Sequence, residues 1–210
     1  MANSLQKLIS QGEHQHLDFK FKISDARHVA KSFAAFANAS GGKLLIGVND
    51  NGRITGVCTD EELYMVDAAA SYYCYPPVKY SVRWWESKGK TVLEVNIPEG
   101  KQKPYYSKRK NKPHVAYIRI ADRDIQACIV QLMVWKRQKN PSGIFIGDID
   151  DINWLLDSLE RYPRITITTV CKTLTISYKK AVQLLADLVY LDILEIEYQN
   201  DRFFFKRKIE

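Results

Sequence analysis

Hydrophobic and polar positions alternate along residues 16–22, with Leu17, Phe19 and Phe21 set against His16, Asp18, Lys20 and Lys22. This period of two predicts a half-buried strand. Ser24 or Asp25 can cap a following helix, whose apolar stripe is Ala26, Val29, Ala30, Phe33 and Phe36 or Ala37. Gly41-Gly42 stops that helix, and residues 43–48 read as the next strand. Asn49-Asp50-Asn51-Gly52 predicts a hairpin, because Asn-Gly accepts the positive φ angles of tight turns, with residues 53–57 returning as the paired strand.

Thr59 and Glu62 fit a capping box opening a helix that runs to residue 73, and Pro76-Pro77 ends it. Strands follow at 79–86 and 91–97, turned around Ser87-Lys88-Gly89-Lys90. A basic loop leads to a strand at 115–120 and a long helix at 122–139. Asn140-Pro141-Ser142-Gly143 marks a linker. Beyond it, helices are expected at 151–161 and 166–174. A third is capped by Ser177 and carries Ala181, Leu184, Leu185 and Leu188 on one face. A hairpin, 194–198 and 202–206, turns at Gln199-Asn200-Asp201. Three helices and a hairpin predict a small winged helix-turn-helix. The expected organisation is an α+β domain at 1–139, with a mixed sheet flanked by helices, a linker at 140–147 and a winged helix at 148–210.

Composition narrows the class. The chain has 210 residues, 46% hydrophobic and 26% charged, which suits a soluble globular protein of one large domain or a medium and a small one. No stretch approaches the roughly eighteen uncharged apolar residues of a membrane span. Residues 1–10 are too mixed in polarity for a signal peptide. Cys58, Cys74, Cys128 and Cys171 are far apart and form no C-x-x-C pair, which argues against a zinc site or disulfide framework and predicts a cytoplasmic location. The net charge of +7 is unevenly spread. The first 140 residues hold 22 basic and 13 acidic side chains, net +9, whereas the remainder holds 9 and 11, net −2. A polyanion partner should therefore meet the N-terminal part.

Three groups of residues carry candidate chemistry. Glu13, Asp18, Lys20 and Asp50 collect carboxylates near one end of the first sheet, where hard oxygen ligands suit Mg²⁺ or Mn²⁺. From spacing alone the plainer reading, solvated charges on an edge strand and a turn former, is favoured. The stretch from Lys101 to Pro113 interleaves Lys101, Lys103, Lys108, Arg109, Lys110 and Lys112 with Tyr105 and Tyr106, and continues to Arg119. Its cations can neutralise phosphates and its tyrosines can stack on exposed bases; the plain alternative is a solvated loop. In the last unit, Lys179 and Lys180 would face DNA from the third helix, against a net negative charge. Ser40-Gly41-Gly42-Lys43 lacks P-loop spacing, and the four histidines show no metal-ligand spacing.

The order strand, helix, Gly41-Gly42, strand, Asn49-Asp50-Asn51-Gly52, together with Asp18-Phe19-Lys20, resembles the Schlafen AlbA-2 domain family over about residues 5–135. The resemblance implies a nucleic-acid-associated domain. Schlafen-type endoribonucleases use an acidic triad that falls on Glu13, Asp18 and Asp50, which would hold Mg²⁺ or Mn²⁺; the family motif has Glu where this chain has Asp18. Such nucleases pair two lobes into a clamp, so a single lobe implies a homodimer. The expected function is a nucleic-acid-binding, DNA-associated transcriptional regulator that grips phosphates through the basic loop. The alternative is a divalent-metal-dependent endoribonuclease acting on structured RNA such as tRNA.

Overall fold

The computed structural model describes residues 2–57, 59–141 and 149–208. Its contacts divide the chain into two compact units, Met1–Ala127 and Cys128–Glu210.

In the first unit the elements are α1 (Ala2–Ile9), β1 (Leu17–Lys20), α2 (Ala26–Asn38), β2 (Gly42–Ile46) and α3 (Thr59–Asp67), which runs into a π-helical turn, Ala68–Tyr72. Then come β3 (Cys74–Tyr75), β4 (Ser81–Ser87), β5 (Lys90–Ile97), β6 (Tyr106–Arg109), β7 (Lys112–Ile120) and β8 (Arg123–Gln126). They form two four-stranded sheets, ordered β1-β2-β5-β4 and β3-β6-β7-β8. The first sheet is mixed, because β1 and β2 are parallel while β5 runs antiparallel to both of its neighbours. Strand alternation sorts its residues onto two buried faces. Leu17, Phe19, Leu45, Trp85 and Val92 pack with Leu5 and Ile9 of α1. Leu44, Ile46, Leu93, Val95 and Ile97 pack with Phe33 and Phe36 of α2. Asp18 and Lys20, out of phase with Leu17 and Phe19, therefore belong to the α2 side of an edge strand.

Asp25 caps α2, its side chain accepting from the Arg27 N–H at 2.9 Å. The helix ends where glycine is required. Gly41 has φ +76°, and a Cβ on Gly42 would lie 2.3 Å from the fully buried Phe36 ring. Several expectations are corrected. β1 stops at Lys20, leaving Phe21 exposed. After the Asn49-to-Gly52 turn, Val48 and Ile54 make one isolated bridge, not a paired strand. The returning chain instead bonds to Gly47 O through Thr55 and Gly56 and to Thr91 O through Val57. The Thr59 side chain lies outside the described residues, and Glu62 is buried with its carboxylate accepting from the Ile23 N–H at 3.1 Å. The helix expected at 122–139 is split. Ala121, at φ +54°, turns the chain so that Arg123–Gln126 pairs back on β7, and the helix starts only after Cys128.

The second unit holds α4 (Ile129–Lys139), α5 (Ile149–Arg161), α6 (Ile167–Thr173), α7 (Tyr178–Tyr190), β9 (Leu194–Gln199) and β10 (Arg202–Arg207). Val130 and Val134 of α4 share one core with Leu155, Val170, Leu185 and Phe205. The units thus divide between Ala127 and Cys128, ahead of the boundary expected at 139, because α4 packs on α7 and its apolar side joins the core of the second unit. Most of the expected linker, 142–147, lies outside the described residues. Thr166 and Ser177 cap α6 and α7 through Thr169 N and Lys180 N. β9 and β10 are antiparallel, and Ile165 exchanges backbone hydrogen bonds of 2.9 and 2.8 Å with Phe205. Among the described residues no helix is long and apolar enough to cross a membrane.

Candidate nucleic-acid interface

A cleft of about 860 Å³ opens beside β1 in the first unit. Glu13, Asp18, Lys20 and Asp50 line part of it, and Lys108, Arg109, Lys110 and Tyr117 line another part. Two motifs far apart in the chain therefore share one concave surface. The first turns of α2 add His28 and Lys31, which the sequence pattern did not single out. Their signal was present, since both fall off the Val29–Ala30–Phe33 apolar stripe of α2.

The acidic end is built around Asp18, which is only 3% exposed. Lys20 Nζ lies 2.7 Å from its Oδ2, and Arg119 Nη2 lies 3.4 Å from its Oδ1. Arg119 also donates to Asp124 Oδ1 at 3.0 Å and to the Leu17 carbonyl at 3.2 Å, and Ser32 Oγ donates to the other Asp124 oxygen at 2.7 Å. Lys20 meets Asp18 Oδ2 as a charge pair outside hydrogen-bond geometry, because that oxygen and Arg119 Nε have no hydrogen-bond partner. Glu13 accepts from the Phe19 N–H at 2.9 Å and lies beside the Asp18 carboxyl. Burial, then the neighbouring Asp18 carboxyl, push the Glu13 pKa above its ordinary value, against the pull of the Phe19 N–H.

Arg119 was expected to touch nucleic acid. Its side chain is 2% exposed and spent on Asp18 and Asp124, so it braces β1 against β7. The Asp18–Arg119 partnership joins strands a hundred residues apart, and no local pattern announces it. Among the described residues no group of three His, Cys, Asp or Glu side chains is placed to hold a metal ion. With Asp18 already met by Lys20 and Arg119, Glu13, Asp18 and Asp50 do not fit a hard-cation cage as they stand.

The basic end is not a loose loop. Residues 106–120 form the β6–β7 hairpin, with Asn111 at φ +55° in the turn. Arg109 donates to the Tyr117 hydroxyl, and Lys31 Nζ sits 5.0 Å from the centre of the Tyr117 ring. Lys110 and Lys112 are exposed. Among the described residues no carboxylate pairs with Lys101, Lys108, Arg109, Lys110 or Lys112. The stretch before the hairpin behaves differently. Tyr105 is 7% exposed and belongs to the core, its N–H donating to Asn38 Oδ1 at 2.7 Å, so its ring is not available for stacking on a base. Lys103 is tied to Glu99 at 2.7 Å and to the Ala39 carbonyl at 3.0 Å. Tyr106 is half-buried opposite Tyr75 of β3.

In the second unit Lys179 and Lys180 are exposed in the first turn of α7, and Lys180 Nζ lies 3.0 Å from Asp151.

Comparison with known proteins places this geometry in context. The family described as Schlafen, AlbA_2 matches residues 13–128, more than half of the chain. The N-terminal domain of a RecG-related protein from Nitrosomonas europaea, named for an ATP-dependent DNA helicase, is 29% identical over 61% of this chain and 92% of that one, with a TM-score of 0.44. The DIP2311 protein from Corynebacterium diphtheriae is 15% identical over 82% of this chain and 32% of its own, with a TM-score of 0.49. No curated protein matches the chain.

Proposed function

The chain belongs to the Schlafen AlbA_2 family, and from that premise we propose that it is a nucleic-acid-binding protein whose main contact is the β6–β7 hairpin. One observation carries this reading: Lys108, Arg109 and Lys110 face a cleft with no carboxylate partner among the described residues. Cations left unpaired on a concave face attract polyanions and release counterions on binding phosphate. Lys31, lying over Tyr117, extends the positive surface. The family membership supports the same partner class.

The finer reading is a cytoplasmic, DNA-associated regulator that works as a homodimer. Here the second unit acts as a winged helix. α5, α6 and α7 supply its helices, β9 and β10 its wing, and Ile165 its short third strand, with Lys179 and Lys180 at the start of the reading helix. A second reading, a divalent-metal-dependent endoribonuclease, is favoured by the meeting of Glu13, Asp18, Lys20 and Asp50 in the cleft that holds the basic hairpin. It carries less weight because Asp18 is already neutralised by two cations.

A single experiment separates the readings. Full-length protein is titrated with single- and double-stranded DNA and RNA over a salt series, and each mixture is also incubated with Mn²⁺, with and without chelator. Salt-dependent binding without cleavage is the expected result. Cleavage that needs Mn²⁺ and disappears in Asp50→Asn, with binding kept, would install the nuclease reading. Absence of binding to every polyanion would overturn both.

A further inference from the structure

A second cavity, of about 460 Å³, adjoins the cleft and shares Arg27, Lys108, Arg109 and Lys110 with it. Its remaining lining is aromatic: Tyr72, Tyr73 and His114. Among the described residues no carboxylate lines it. Tyr72 closes the π-helical turn. The Tyr73 N–H reaches back to the Ala68 carbonyl at 3.0 Å, the five-residue spacing of that turn, while Ala69 and Ala70 face the core. The inserted residue leaves Tyr72 66% exposed beside the hairpin, a large aromatic surface that contributes nothing to the core. π-Helical turns cost regular hydrogen bonding and occur often at functional positions. Tyr73 stands edge-on to Tyr72 at 4.9 Å and 86°, which fixes the ring, and Lys108 Nζ lies 5.0 Å from the Tyr72 ring centre.

We propose that this cavity takes an unpaired base of single-stranded nucleic acid, stacked on Tyr72, while the adjoining phosphates cross Lys108, Arg109 and Lys110 into the main cleft. The inference rests on the nucleic-acid-binding reading and specifies its substrate class. Stacking on an aromatic ring needs a free base face, which a duplex hides inside its own stack. Lys108, Arg109 and Lys110 beside an exposed aromatic, with no carboxylate pairing with them among the described residues, match the pairing of phosphate and base along a single strand; Arg27, the fourth cation of the lining, is held by Asp25 at 2.7 Å. A duplex would use only the cations. The tyrosine that stacks is then Tyr72, on an element remote in sequence from the basic stretch, and not Tyr105.

The test compares a short single-stranded oligothymidine, an abasic chain of the same length and a duplex, all at one salt concentration, by fluorescence anisotropy. Wild-type protein should bind oligothymidine more tightly than the abasic chain. Tyr72→Ala should weaken oligothymidine binding by about tenfold or more, leave abasic binding unchanged and leave the melting temperature unchanged; Tyr72→Phe should bind as wild type does. Equal wild-type affinity for oligothymidine and the abasic chain, or an unaltered Tyr72→Ala affinity, overturns this inference alone, provided the hairpin cations still govern binding. If wild-type protein binds none of the three, the nucleic-acid reading falls with it.

Discussion

Two halves of one basic stretch meet opposite fates. At its start, Lys103 is tied to Glu99 and a helix-end carbonyl, and Tyr105 is sunk into the core against Asn38. A few residues on, Lys108, Arg109 and Lys110 stand on a hairpin without acidic partners among the described residues. In sequence the two halves look alike. What separates them is the neighbour each side chain finds. The first half runs past the C-terminal end of α2, where carbonyls and Asn38 need donors and the core needs a ring. The second half projects from the sheet into a cleft. The same contrast holds between Arg119 and Arg109, one buried between Asp18 and Asp124, the other resting on a tyrosine. Positive charge in a sequence therefore locates a partner only after the internal carboxylates have taken their share.

The largest expected effect comes from breaking the internal half of this contrast. Arg119→Met removes the guanidinium between Asp124 and the buried Asp18 carboxylate and leaves Asp18 with Lys20 as its one charge partner. The loss should be about 3 kcal/mol of unfolding free energy, within the usual cost of orphaning a buried charge. A denaturant titration reads it directly. A loss below about 1 kcal/mol, typical of surface pairs, would mean that Arg119 is not a brace.

A smaller effect concerns Glu13. A carboxyl whose pKa is raised on folding contributes stability that is full below its ordinary value of 4.5 and is lost as pH rises through the raised folded value. Glu13→Gln carries no such proton. The variant should therefore gain stability relative to wild type as pH climbs from about 4 to 7, a trend visible in melting temperatures taken across that range. A difference between the two proteins that stays flat with pH would show that Glu13 is not strained by burial and by Asp18.

Much of the fold was legible because its signals are local. Asp25 before the Val29–Ala30–Phe33 stripe, the Gly41-Gly42 stop, and the Ser177 cap each act within one turn of chain. Trp85 inside and Trp84 at the rim also fit simple alternation. The illegible parts are those decided by distant partners. α1 is eight residues long and reads as a helix only because Leu5 and Ile9 find Phe19 and Trp85. Residues 123–126 are polar enough for a helix start but pair with β7 as a strand. For the candidate site, the carboxylates and the cations could each be named from sequence. Their common cleft, the burial of Tyr105 and Arg119, and the outward turn of Tyr72 all depend on tertiary contacts that spacing does not encode.

The most direct measurement of the central claim sets the two halves of the basic stretch against each other. Nucleic-acid affinity is followed against salt for wild type, for Lys103→Ala and for the Lys108→Ala, Arg109→Ala, Lys110→Ala triple variant. The account predicts that Lys103→Ala keeps the wild-type salt slope. The triple variant should bind more weakly, with a slope shallower by about 0.7–0.9 for each phosphate contact removed and an unchanged melting temperature. An unchanged slope in the triple variant, or an equal loss in Lys103→Ala, would contradict it.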